Sequence, residues 1–208
     1  MKITDTIKWL VCLPPVMALI PIALGCGQRA PTATNGDSSL AQEARLVDLD
    51  GSVHQPFGNR QVQAVVLVFI VSDCPIANSY APELNRLHSE YDLRGVRMLL
   101  IQVDPQLSIE DARRHAQEYQ LQPPVVLDKR HHWVQLVGAT RTPEAAVLSP
   151  TGDVLYLGRI DDRYVDLGKR REQVTSHDLR NALEAILAGR PIQHPRSMAV
   201  GCIIPESK

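Results

Sequence analysis

Cys74 is the residue around which chemistry can be built. It stands in Ser72-Asp73-Cys74-Pro75, between a long apolar run and a helical pattern. A cysteine at a helix start meets unpaired backbone N–H groups and the positive helix end. Both favour the thiolate, which is the nucleophilic form. Pro75 suits the first helical position, where its missing N–H costs nothing. Asp73 works the other way, because an adjacent negative charge raises a thiol pKa. The chain has four cysteines, Cys12, Cys26, Cys74 and Cys202. Cys74 and Cys202 could form a redox pair or a permanent structural bond, or stay two unrelated thiols. Bridging them requires Cα atoms closer than about 7 Å, or a mobile tail.

Other clusters carry weaker signals. Asp161-Asp162-Arg163 could bind a metal or tune a neighbour, but the expectation is a surface loop with weak local ion pairs. His131 and His132 are adjacent, so their imidazoles diverge on a helix and make a poor metal pair. The dense basic run Gly168-Lys169-Arg170-Arg171 reads as a solvated loop. With a net charge of −1 and no basic block, nucleic acid is not an expected partner. No metal and no cofactor are expected.

The elements that must position Cys74 follow from periodicity. Residues 44–53 offer a strand or hairpin with a turn at Asp50-Gly51. Val62 to Val71 is near-continuously apolar and rich in β-branched residues, which predicts a central strand buried on both faces. After Cys74, one helical pattern puts Tyr80, Leu84, Leu87 and Tyr91 on a single face. Val96 to Val103 is a second buried strand. Ser108 reads as an N-cap, followed by Glu110 and Asp111 in the first turn. Pro123-Pro124 stops that helix before a short strand, Val125 to Leu127. His131 to Val137 reads as a short helix ending at Gly138. Ala145 to Leu148 and Val154 to Ile160 form a hairpin. A last helix begins near Thr175 or Ser176 and stops at Gly189. The tail, Ile192 to Lys208, reads as irregular with one apolar patch, Ala199 to Ile204. Alternating βα units followed by a hairpin and a helix imply an α/β fold, a mixed central sheet with helices on both faces.

The N-terminus carries targeting signals. Lys2 and Lys8 precede the uncharged, mostly apolar stretch Trp9 to Leu24, broken by Pro14, Pro15 and Pro21. A membrane span needs about 20 residues, so residues 1–25 read as a signal peptide. Ala23-Leu24-Gly25-Cys26 resembles a lipobox, which makes Cys26 the lipidated residue. Residues 26–43 are polar and read as a flexible tether. Residues 44–190 form the folded domain, and 191–208 form a C-terminal tail carrying Cys202. The mature chain is then expected on the periplasmic or cell-surface face of a bacterial membrane, held by its lipid, where disulfides can persist. Hydrophobic residues make up 44% of the 208-residue chain but aromatics only 4%, so the core must be aliphatic.

One further motif completes a resemblance. Arg141-Thr142-Pro143 precedes the Ala145 strand. Taken with the buried strand, the Cys-Pro helix start and the final hairpin and helix, it resembles the thioredoxin-like superfamily, in its redoxin branch of alkyl hydroperoxide reductase/thiol-specific antioxidant type. The stretches 72–87, 158–163 and 199–202 look like those of a group of bacterial redoxins. The resemblance covers roughly 44–204 and implies a three-layer thioredoxin-like sandwich. It implies that Pro143 is cis and faces Cys74, and that Thr142 presents its backbone to an extended substrate segment, with Asp73 and Pro75 flanking the nucleophile.

Departures from the family pattern narrow the chemistry. Ala77 replaces the second cysteine of Cys-x-x-Cys. Val71 stands where a peroxiredoxin carries the hydroxyl that positions peroxide. Asn78 stands where copper-delivery relatives carry their second cysteine, although His177 and His194 lie downstream. Arg141, Arg159 or Arg163 could orient an oxyanion. The leading expectation is a thiol-dependent oxidoreductase in which Cys74 attacks a disulfide, or less favourably a peroxide, with Cys202 as resolving thiol and an external thiol as reductant. The alternatives are a non-catalytic binding module, metallochaperone-like or associated with electron transfer, and a redoxin fold that has lost catalysis.

Overall fold

A computed structural model of the chain describes residues 45–207. The expected signal segment, the expected lipobox with Cys26 and the expected tether lie outside the described residues. The chain begins with a small antiparallel pair, β1 (Leu46–Val47) and β2 (Val53–His54). Asp48 Oδ1 accepts the N–H groups of Asp50 and Ser52, both at 2.9 Å, which fixes the turn between them.

The apolar run forms β3 (Ala64–Ile70), buried along its whole length. The helical pattern that follows is broken into α1 (Pro75–Ser79) and α2 (Ala81–Asp92). The break has a local cause. Pro82 lacks an N–H and cannot continue an i→i−4 ladder, so the helix restarts around Tyr80. Next come β4 (Val96–Gln102) and α3 (Ile109–Glu118). Ser108 caps α3 by accepting the Asp111 N–H at 3.0 Å, as its type and position predict. Then follow β5 (Val125–Leu127), α4 (His132–Val137), β6 (Arg141–Thr142), β7 (Glu144–Leu148) and β8 (Val154–Gly158). The chain ends with an exposed hairpin, β9 (Tyr164–Asp166) and β10 (Lys169–Arg170), then α5 (Asp178–Leu187) and β11 (Cys202–Ile203).

The central sheet has the order β5-β4-β3-β7-β8. β3, β4 and β5 run parallel, and β7 and β8 join antiparallel, so the sheet is mixed. Helix α2 packs on β4, and α5 packs on β7 and β8. The core is aliphatic apart from a few rings, chiefly Phe69, Tyr91 and Tyr156. Because β3 is central, its C-terminal end carries Cys74 to the middle of the sheet edge, next to β6 and β7.

Two expectations are corrected. The tail is not irregular throughout, because Cys202 and Ile203 pair as β11 with β6. Asp161 and Asp162 are not on a surface loop. Each is only 3% exposed, and each accepts several hydrogen bonds. Asp162 takes the N–H groups of Thr175 at 2.8 Å and Ser176 at 3.0 Å, together with the Thr175 hydroxyl. That also explains why α5 starts at Asp178, later than Thr175: the N–H groups of Thr175 and Ser176 are turned onto Asp162.

Burial raises the Asp162 pKa, but the hydrogen bonds from Thr175 and Ser176 and the charge of Arg171 outweigh it and hold the carboxyl at about 2. An unfolded aspartate titrates near ~3.9. The carboxylate therefore stabilises the fold above about pH 4, and this contribution is lost as pH falls toward 2. Asp162→Ala should lose about 2 kcal/mol, because hydrogen bonds to a charged carboxylate disappear. Urea unfolding at neutral pH checks the loss. Below pH 4 the variant's stability should fall less steeply than that of the wild type.

Candidate active site

Cys74 is the N-cap of α1, with extended backbone (φ −88°, ψ 106°), and its side chain is wholly buried. The thiol donates to Thr142 O at 3.2 Å and accepts the Ala77 N–H at 3.4 Å. Pro75 is exposed at the start of α1, and Asp73 is exposed beside it. The Thr142–Pro143 peptide bond is cis, as the resemblance implied, and Thr142 is fully buried. Glu144 holds the approach to it, since its Oε2 accepts the N–H groups of Thr140 at 2.7 Å and Arg141 at 3.1 Å.

Cys202 comes from far along the chain to the same place. In the β6–β11 pair, Cys202 faces Thr142 and Ile203 faces Arg141. Arg141 Nη1 donates to Gly201 O at 3.2 Å, and Ile204 N–H donates to Thr140 O at 3.1 Å. Both cysteines are free thiols. The Cys202 thiol and its N–H interact with Cys74.

The electrostatics separate the two thiols. Burial pushes the Cys74 pKa up. Hydrogen bonding from the Cys202 thiol and from the Ala77 and Cys202 N–H groups outweighs burial and holds it below the ordinary thiol value. Cys202 moves the opposite way, to about 11, through burial, the adjacent Cys74 and the charge of Asp73. Asp73 thus bears on Cys202, whereas sequence alone directed its influence to Cys74. Replacing Cys202 by alanine removes a donor to the Cys74 thiolate, so Cys74 should ionise at higher pH. A pH titration of ultraviolet thiolate absorbance, with Cys74 the remaining thiol of the folded domain, measures that rise.

Supports that sequence reasoning missed surround this pair. Asn78 Nδ2 donates to Ser72 O at 2.8 Å, and His115 Nε2 sits 2.8 Å from Asn78 Oδ1. Burial lowers the His115 pKa, so a neutral imidazole donates to Asn78 and braces the loop that carries Cys74. Asn78 is thereby committed to the loop. Tyr80 donates to Asp161 at 2.6 Å, and the Arg163 guanidinium lies 4.5 Å from the Tyr80 ring centre. Burial and the Asp161 carboxylate push the Tyr80 phenol up, which keeps it a neutral donor. The break at Pro82 that frees Tyr80 from a continuous helix was legible in the sequence as a proline signal.

The three arginines considered for an oxyanion are all engaged. Arg141 holds Gly201 O, Arg159 pairs with Asp178 and Arg163 pairs with Asp161. Among the described residues, no group of three His, Cys, Asp or Glu converges as a metal site. The arrangement can therefore do thiol exchange: a favoured thiolate, a second thiol across a strand pair, and a backbone edge beside both.

Known proteins resemble this chain in sequence and fold. Residues 27–157 match the family model described as AhpC/TSA family. The chain is 24% identical over 160 residues to a thiol-disulfide oxidoreductase ResA from Halalkalibacterium halodurans, covering 73% of this chain and 88% of that one. Among solved structures, it resembles an uncharacterized conserved protein from Geobacillus kaustophilus at a TM-score of 0.65 and 26% identity, covering 79% of this chain and 90% of the other. It also resembles a hypothetical protein from Sinorhizobium meliloti 1021 at a TM-score of 0.66 and 23% identity, covering 77% and 89%.

Proposed function

The chain belongs to the AhpC/TSA family and has a thioredoxin-like fold, and on that premise we propose that it is an exported thiol-disulfide oxidoreductase using Cys74 as nucleophile and Cys202 as resolving thiol. One observation carries the proposal: Cys202 lies opposite Thr142 and lowers the Cys74 pKa, while its own rises to about 11.

The roles follow from that asymmetry. The Cys74 thiolate attacks one sulfur of a substrate disulfide. The substrate S–S bond breaks, its second sulfur leaves as a thiolate and takes a proton from solvent, and a mixed disulfide forms at Cys74. The negative charge on Cys74 is now gone. It is one of the causes that hold Cys202 protonated, so the resolving thiol ionises more readily once it is needed. Cys202 then attacks Cys74 Sγ, the substrate sulfur departs with the electron pair, and a Cys74–Cys202 disulfide remains. The substrate has gained two electrons. An external thiol reductant restores the dithiol by the same exchange.

Disulfides fit this site better than peroxides, because Val71 carries no hydroxyl to position peroxide. The signal segment and Cys26 support attachment by lipid to the outer face of a bacterial membrane, with protein disulfides as substrates. The test is to treat the reduced full-length protein with a protein disulfide, quench with acid and map the peptides. An intramolecular Cys74–Cys202 disulfide, formed in step with substrate thiols, supports the mechanism. Both cysteines still free after substrate reduction would remove it.

A further inference from the structure

The strand position beside Cys74 is already filled. β11 pairs antiparallel with Arg141–Thr142, the edge that ends at cis-Pro143, and with it covered Cys74 is completely buried. The fit is close. A Cβ on Gly201 would lie 2.0 Å from Thr142 O, 2.7 Å from Thr142 C and 3.1 Å from Pro143 N. These are backbone atoms, so no side-chain movement relieves the clash. Space over the Thr142–Pro143 peptide, rather than an unusual torsion, is what demands glycine before Cys202.

The tail is fastened in two separate places. Upstream, Leu157 N–H donates to Pro195 O at 3.0 Å, Ser197 N–H donates to Leu157 O at 3.2 Å, and Ser197 Oγ contacts the Tyr156 hydroxyl at 2.8 Å. Downstream, residues 201–204 hold β6. Between the two lies Met198, 83% exposed. The downstream strand can therefore leave its edge while the upstream anchor keeps Cys202 close.

We infer that the tail strand 199–204 is an internal stand-in for substrate: it occupies the binding edge for extended cysteine-bearing segments, an incoming strand must displace it to reach Cys74, and the segments that fit carry glycine immediately before the reacting cysteine. The inference rests on the thiol-exchange reading of Cys74. A strand taking the same register puts its sulfur where Cys202 Sγ now lies. Its preceding residue then falls over Thr142 O, where only a hydrogen fits.

The test uses full-length Cys202→Ser, which cannot resolve, and the same chain with Gly201→Val. The added side chain cannot fit over Thr142 and expels the strand. Each is mixed with the peptide Ala-Val-Gly-Cys-Ile-Ile carrying its cysteine as a mixed disulfide with thionitrobenzoate. Cys74 attacks the peptide sulfur, the aryl thiolate leaves and absorbs, and the peptide stays on Cys74. Releasing the strand raises the fraction of competent sites, so the Gly201→Val chain should react at least about tenfold faster. In that chain, a peptide with alanine before the cysteine should react at least about tenfold slower than the glycine peptide, because the edge excludes a Cβ.

Ile204→Asp, which expels the strand from its other end by charging a buried position, should reproduce the acceleration and guards against misfolding of one variant. Cooperative thermal unfolding identifies the folded chains. Equal rates with and without the strand-expelling substitutions overturn the displacement claim. Equal rates for the two peptides overturn the glycine rule. No adduct on Cys74 in any chain is a separate result, and it overturns the thiol-exchange reading instead.

Discussion

Cys74→Ser should abolish disulfide reduction, lowering turnover by at least about a thousandfold, because a serine hydroxyl is not ionised at neutral pH and attacks sulfur poorly. The exchange is nearly isosteric. A serine Oγ keeps a donor toward Thr142 O, which Cys74 Sγ now approaches at 3.2 Å, and an acceptor for the Ala77 N–H. Fold stability should therefore change little, and the loss belongs to chemistry. Insulin disulfide reduction coupled to a thiol reductant measures turnover, and thermal unfolding of the same sample confirms the fold. Turnover that survives the substitution would shift the nucleophile to Cys202. That outcome is disfavoured by a Cys202 pKa pushed up to about 11.

Cys202→Ser should have a different signature. The first attack survives, because serine still offers a hydroxyl donor to the Cys74 thiolate. Resolution fails, so a mixed disulfide accumulates on Cys74 and is cleared only by external thiol. A tethered thiol acts at millimolar or higher effective concentration, so turnover should fall by roughly ten- to a hundredfold at submillimolar reductant. Adding reductant should restore part of it, which it cannot do for Cys74→Ser. Intact-protein mass spectrometry detects the adduct. A Cys202→Ser chain with full turnover and no adduct would show that resolution never passes through the tail.

The sequence makes the scaffold readable because its signals are local. The β-branched run of β3 is apolar on both faces because the strand is central, and the Ser108 cap and the glycines at helix ends are read directly from type and position. Cys74 is legible for the same reason, as a thiol at a strand–helix junction. Its partner is legible only as a leftover cysteine in an apolar patch. Nothing near Cys202 specifies pairing with Thr142, which lies far away in the chain, and a two-residue strand has no periodicity to detect. Asp161 and Asp162 mislead in the opposite sense. Charged neighbours normally mark surface, and the N–H groups and hydroxyls converging from Tyr80, Thr175 and Ser176, together with the guanidinium groups of Arg163 and Arg171, make their burial tolerable. His115 and Asn78 come from different helices, so their link has no sequence signature.

The order of the elements along the chain has a consequence in time. A ribosome makes β3, α1 and the cis-Pro143 segment before it makes Ser197 or Cys202. The five-stranded sheet holding Cys74 contains no residue beyond Gly158, so it can assemble while the tail is still unmade. During that interval the Cys74 thiol is present without its cover or its proposed resolving partner. A nascent chain halted there, or a product clipped between Met198 and Cys202, would be a different reagent from the finished protein: open to any passing disulfide and unable to let go of what it captures. On the proposed mechanism, the last few residues convert a sticky thiol into a catalyst that turns over.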